Sequence, residues 1–186
     1  MPERVVPAEP GTWVFLMGDM LVFGIFFSTF MVERAKAPEQ FDVARRTLHT
    51  GIGVTNTFVL LTSSLLVAMA IAALRSGRST TTRRAMWLSM CCGALFVGLK
   101  AVEYSLLLAD HHGAGSGTFY LYYFILTGLH LLHVCLGLAA LAFIYTQARH
   151  PVLNPTRVAV VEGAACFWHL VDLLWVALFP LLYLVS

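Results

Sequence analysis

The sequence predicts an all-α integral membrane protein, a bundle of five transmembrane helices forming one membrane domain over residues 1–186. Three observations predict it. Hydrophobic residues make up 59% of the chain and charged residues 12%, a balance more apolar than a water-soluble domain of this length carries. Apolar runs of about 20 residues or more recur five times, the length that crosses a hydrocarbon core of about 30 Å at about 1.5 Å per residue. Charges, prolines and glycines gather between those runs and punctuate them.

The first span is expected over 11–32, bracketed by Pro10 and Pro38. Glu3 and Glu9 stand where a cleaved signal peptide has basic residues, and the apolar run is too long for one, so this span is expected to be retained. Its aromatic series, Phe15, Phe23, Phe26, Phe27 and Phe30, is suited to packing against lipid or another helix. The second span is expected over 52–74 and the third over 85–108, joined by the polar segment Arg75 to Arg84. His111-His112-Gly113-Ala114-Gly115-Ser116-Gly117 turns the chain into the fourth span, 118–146. His150-Pro151 and Asn154-Pro155 break it before the fifth, 158–185. No internal repeat or low-complexity tail is present, and the connections are too short to fold alone.

The formal net charge of +2 is small and dispersed, which argues against a nucleic-acid partner and makes the basic residues topology signals. On the amino-terminal side stand Arg4, Arg75, Arg78, Arg83, Arg84, Arg149 and Arg157; on the other stand Arg34, Lys36, Arg45 and Arg46. Seven against four predicts a cytoplasmic amino terminus and an outside carboxyl terminus. Cys91, Cys92, Cys135 and Cys166 lie in apolar stretches with no C-x-x-C pair, as reduced packing residues do.

Ionisable residues inside spans are costly, about 2.5 to 3.5 kcal/mol each on insertion scales, and so they must face the bundle interior or a partner protein. Asp19 lies in the first span, Lys100 and Glu103 in the third, His130 and His133 in the fourth, and Glu162, His169 and Asp172 in the fifth. Lys100, Glu103 and Tyr104 share one helical face, where ammonium and carboxylate neutralise each other. Thr127, His130, His133 and Gly137 form one stripe; Glu162, His169 and Asp172 form another. Counting inward from the ends of these antiparallel helices puts His133 level with His169 and His130 level with Asp172, so cross-helix hydrogen bonds between those pairs are expected. Asp172 would then be the partner that His130 or His169 needs.

Three intramembrane histidines also allow another reading, a self-sufficient haem or metal oxidoreductase built on His130, His133 and His169. Against it, leucines flank His130 where a haem needs a gap lined by small residues, and a third firm ligand is lacking. An ion-coupled carrier using Asp19, Glu103, Glu162 and Asp172 fits poorly, because no duplicated halves are visible. No nucleophile elbow or phosphate-binding loop occurs.

Two segments carry a resemblance. Thr127-Gly128-Leu129-His130-Leu131-Leu132-His133-Val134 with Gly137 is similar to T-G-[FL]-H-x-x-H-V-x-x-G, and Glu162 followed by Phe167-Trp168-His169-Leu170-Val171-Asp172 and Trp175 is similar to E-x5-W-H-F-V-D-x-x-W. Both are motifs of the cytochrome c oxidase subunit III family, which the chain resembles across all five spans. Asn56-Thr57, Ser63-Ser64 and Glu103-Tyr104 add weaker support, with Lys100 where the family usually has Gln. The resemblance implies a five-helix form without the first two helices of the seven-helix members. It implies two helix groups splayed into a V whose cleft holds phospholipid, in the bacterial cytoplasmic membrane.

The resemblance further implies an accessory subunit with no catalytic site, haem or metal of its own. Such a subunit docks on a haem-copper catalytic subunit and other respiratory subunits, which hold the haem and the copper or iron, and supports their stability, assembly and proton uptake. Asp19 takes the place of a membrane-embedded Glu near the cleft. The stretch from Glu9-Pro10-Gly11-Thr12-Trp13 to Gly18-Asp19-Met20 looks more like the homologues associated with nitric oxide reductase than those of oxygen reductases.

Overall fold

The computed structural model describes residues 10–147 and 155–185. They form α1 (Pro10–Lys36), α2 (Pro38–Arg45), α3 (Thr50–Arg75), α4 (Ser79–Ala109), α5 (Thr118–Gln147) and α6 (Pro155–Phe179), which runs into a π-helical turn, Pro180–Leu184. Every long helix is apolar and long enough to cross a membrane, so the chain is a multi-pass membrane protein with five spans. The apolar runs locate these helices well, but α4 starts six residues before the expected span, because its polar turn Ser79–Arg84 continues the helix beyond the apolar run. Glu9, Arg4 and Arg149 lie outside the described residues.

Helices α3, α4, α5 and α6 pack as a four-helix body, with α3 against α4 and α6, and α5 against α4 and α6. The α3–α4 connection is tight because Gly77 adopts a left-handed φ of 71° and lets Arg78 N–H reach the Ala73 carbonyl at 2.9 Å and Gly77 N–H the Leu74 carbonyl at 3.0 Å. Helix α1 leans on α5 and α6, and only 17% of its span is buried against 44% of the last span, so it is the peripheral helix. Large apolar side chains such as Leu21, Phe58, Leu65 and Leu173 face outward. Lipid accommodates them at no cost, so they contribute little to holding helices together.

Short α2 was not legible in the sequence. Pro38 starts it, as proline does at a first helical position, and Phe41 is its one buried side chain. That ring meets Phe30 of α1 edge-on at 5.5 Å and Phe119 of α5 at 5.6 Å. Arg45 at its end donates to the Tyr183 carbonyl at 3.1 Å, fastening α2 to the π-helical turn. The phenylalanine series of α1 therefore packs inward in part: Phe23 and Phe30 are buried, and Phe26 and Phe27 are half-buried.

Candidate functional site

Buried polarity runs down the middle of the four-helix body in two adjoining groups. The first is centred on Lys100 and Glu103, which are 1% and 0% exposed. The three-residue spacing brings Lys100 Nζ to 2.8 Å from Glu103 Oε2 within α4, as the sequence predicts. The same ammonium donates to the hydroxyl of Tyr183 at 3.0 Å and to that of Tyr123 at 3.2 Å, so all three of its protons have acceptors. Tyr183 donates its own hydroxyl hydrogen bond to Glu103 Oε1 at 2.6 Å. The Trp175 ring lies 4.8 Å from Nζ and the Tyr123 ring 5.0 Å, which adds cation–π attraction at a fully buried position. Tyr104 takes no part in the ion pair; its hydroxyl bonds Thr127 Oγ1 at 2.7 Å, and Thr127 donates to the Tyr123 carbonyl at 2.5 Å.

The second group holds Asn56, His130 and Asp172, and here the expected pairing fails. His130 is fully buried between Phe96, 5.6 Å away edge-on, and the Trp175 ring at 5.3 Å. Neither of its nitrogens bonds another described residue, and the same is true of both Asp172 oxygens and of the Asn56 amide. His133 does not bond His169. Its Nδ1 donates to the Leu129 carbonyl at 2.7 Å, while Nε2 sits 3.4 Å from Asp19 Oδ1 on α1 and Phe23 packs edge-on at 5.5 Å. His169 instead bonds Ser64 Oγ of α3 at 2.5 Å. Level counting gives height along antiparallel helices but not direction around them, and the helices are rotated so that these stripes meet α1 and α3.

Elsewhere the polar residues fasten helices in pairs. Ser63 and Ser89 join α3 to α4 through hydroxyls 2.8 Å apart. Trp175 donates its indole N–H to Thr57 of α3 at 3.1 Å. Glu162, partly exposed at the bundle end, pairs with Arg75 at 2.6 Å. The three histidines thus engage three different neighbourhoods, and among the described residues no three His, Cys, Asp or Glu side chains gather at one point. A metal centre shared by His130, His133 and His169 has no common point in this geometry.

A family model described as cytochrome c oxidase subunit III matches residues 8–186. The chain belongs to that family. Among its curated relatives, the probable cytochrome c oxidase subunit 3 of Nocardia farcinica is 29% identical over 175 residues, 94% of this chain and 86% of the relative. Cytochrome c oxidase subunit 3 of Thermostichus vulcanus is 28% identical over 177 residues, 95% of this chain and 86% of the relative. Cytochrome bo(3) ubiquinol oxidase subunit 3 of Pseudomonas putida is 27% identical over 179 residues, 95% and 84% of the two chains.

Within this subunit III fold, the two motif segments interlock. A Cβ on Gly137, the last glycine of the α5 segment, would lie 2.6 Å from Cε3 of Trp168 in the α6 segment, and one on Gly93 of α4 would lie 2.9 Å from its Cη2. The absence of side chains at both positions makes room for an indole that is wholly buried. Sequence reasoning found Trp168 and Gly137 separately and missed that they are one contact. It also missed Tyr123 and Tyr183. Tyr123 stands four residues before Thr127 on the same stripe and was open to detection, whereas Tyr183 lies beyond Pro180 in an apolar run with nothing to mark it.

Proposed function

We propose that this chain is the non-catalytic subunit III of a haem-copper respiratory reductase, seated beside the catalytic subunit and stabilising it. The observation that carries the proposal is the inward use of the family residues: Glu103, Thr127, Trp168 and Trp175 are spent on joining helices, and Lys100, which stands where the family usually has Gln, completes the same network. A subunit built this way offers its partner a stiff four-helix body. Haem and copper or iron belong to the partner subunits in this reading, and phospholipid fills the cleft of the V. The basic residues, seven against four, support a cytoplasmic amino terminus in the bacterial cytoplasmic membrane.

Support of proton uptake centres on Asp19, which is partly exposed where α1 meets α5, its Oδ1 3.4 Å from His133 Nε2. An oxygen reductase is the first reading, since the relatives quoted above are oxidase subunits. Nitric oxide reduction is the second, favoured by Gly18-Asp19-Met20, where the shorter Asp replaces the family Glu.

The test is a mild-detergent pull-down of the tagged chain from native membranes with identification of the polytopic subunit that accompanies it. A copper-A subunit with a haem-copper subunit is expected for the first reading, and a cytochrome c subunit with a haem and non-haem-iron subunit for the second. Recovery of neither sinks the accessory-subunit proposal. An optical spectrum of the isolated chain tests the haem alternative separately, which requires a Soret band.

A further inference from the structure

At the end of the bundle where Arg75, Arg78, Arg83 and Arg84 collect, a groove of about 430 Å³ opens between the start of α4 and the end of α5. Of the six described residues that line it, five, Thr80, Arg83, Arg84, Trp87 and Leu88, fall at spacings of three and four, so they share one helical face over two turns. The sixth, Tyr145, comes from α5.

The face is graded along its length. Thr80 and the two arginines stand at the polar mouth. Trp87 and Leu88, 56% and 47% exposed, form the wall one turn deeper, about 6 Å at 1.5 Å per residue. Arg83 is oriented by Tyr145, whose hydroxyl is 3.4 Å from Nη2 and whose ring centre is 5.5 Å from the guanidinium carbon. Arg84 has no carboxylate partner among the described residues, and neither does Arg83, although Arg75 on the same end has Glu162.

The geometry points to this groove as a binding site for one anionic phospholipid. The phosphate of its headgroup is held in the fork of Arg83 and Arg84, and one acyl chain runs down Trp87 and Leu88. Two uncompensated guanidiniums complement the headgroup charge, the apolar floor complements the chain, and the exposed indole lies at the depth where tryptophan anchors at membrane interfaces. The site's described lining residues come from α4 and α5 and none from α1. It goes beyond the accessory-subunit reading and stands whichever reductase the chain serves.

The experiment uses the full chain purified in detergent, titrated with phosphatidylglycerol or phosphatidylcholine of equal chain length and read by native mass spectrometry. Saturable binding of one phosphatidylglycerol, with no competition from inorganic phosphate, is expected. The double variant Arg83→Gln/Arg84→Gln should bind roughly thirty-fold more weakly, two arginines at about 1 kcal/mol each. Arg78→Gln, with the same charge change as one of them but outside the groove, should retain the affinity. Both altered side chains are exposed, and helical content by circular dichroism checks the fold of each variant.

Trp87→Ala is a second probe that leaves the charge intact, and it should weaken binding as well. Equal binding of phosphatidylcholine, equal loss in Arg78→Gln, or full competition by inorganic phosphate each overturns the proposal, because each reduces the site to a general basic belt or a bare anion site.

Discussion

The Lys100 group and the His130–Asp172 group adjoin each other inside one bundle and treat buried polarity in opposite ways. Around Lys100, three donors meet three acceptors, both carboxylate oxygens of Glu103 are used, and aromatic rings surround the charge. Around His130 the imidazole is wrapped in rings, and although the Ser64 hydroxyl is near Asp172, it bonds His169, and neither Asp172 oxygen makes a hydrogen bond to a described residue. Both groups are equally shielded, so burial alone does not say what a polar residue contributes to stability. The contribution depends on whether a partner is present, because removing one member of a satisfied buried pair leaves a charge stranded, whereas removing an unpaired group strands nothing.

The largest expected effect follows from that contrast. Lys100→Leu strands Glu103 and should cost about 3–5 kcal/mol in a detergent unfolding titration, and the double variant Lys100→Leu/Glu103→Leu should recover most of the loss. A single variant as stable as the parent chain would mean that the network is not the lock that its geometry describes.

Next comes the packing contact one layer on, where Gly137→Leu drives carbon into the Trp168 indole. Overpacking of that kind costs about 1–3 kcal/mol and should lower the thermal midpoint, while Gly128→Leu on the same helix, with nothing within 4 Å, should not. A smaller effect is expected at the α1 seam. Asp19→Leu removes the 3.4 Å contact with His133 Nε2 and should weaken the docking of α1 by no more than about 0.6 kcal/mol, the average for a full interhelical hydrogen bond in a membrane, seen as faster cysteine cross-link exchange between α1 and α5.

The smallest effect sharpens the comparison most. His130→Phe gives up no bond to a described residue, so beyond the overpacking cost of the larger buried ring, measured as its effect in an Asp172→Leu background, it should lose no more than about 0.5 kcal/mol in the parent chain. The sequence-based pairing of His130 with Asp172 predicts a clear loss instead, so the two measurements decide between them.

The spans were legible because the membrane imposes one length and one polarity on every helix. The ion pair of Lys100 and Glu103 was legible because both residues lie on one helix, where spacing alone sets the geometry. Pairing between helices was not, since it depends on how each helix is rotated about its axis: Asp19 reaches His133 and Ser64 reaches His169 only after that rotation is known. Residues such as Ser63-Ser64 and Asn56-Thr57 stood out as family features without a partner to explain them. The structure gives Ser63, Ser64 and Thr57 theirs, in Ser89, His169 and Trp175, and leaves Asn56 without one among the described residues.

The placement of the Lys100–Glu103 pair on a single helix also bears on how the protein is made. Tyr183, which completes the network, follows Glu103 by 80 residues, a delay of roughly 4–16 s at synthesis rates of about 5–20 residues per second. During that interval α4 has to remain in the bilayer on its own resources. Opposite charges one turn apart partly neutralise each other within the helix, which helps α4 to leave the translocon before α6 exists, and an α4 segment carrying Val102→Glu/Glu103→Val, with the same composition but the charges two residues apart and on different faces, should insert less often than the unaltered one in a translocon assay. The order of synthesis thus favours an ion pair that is complete within one helix, with the later tyrosine serving to fasten it in place.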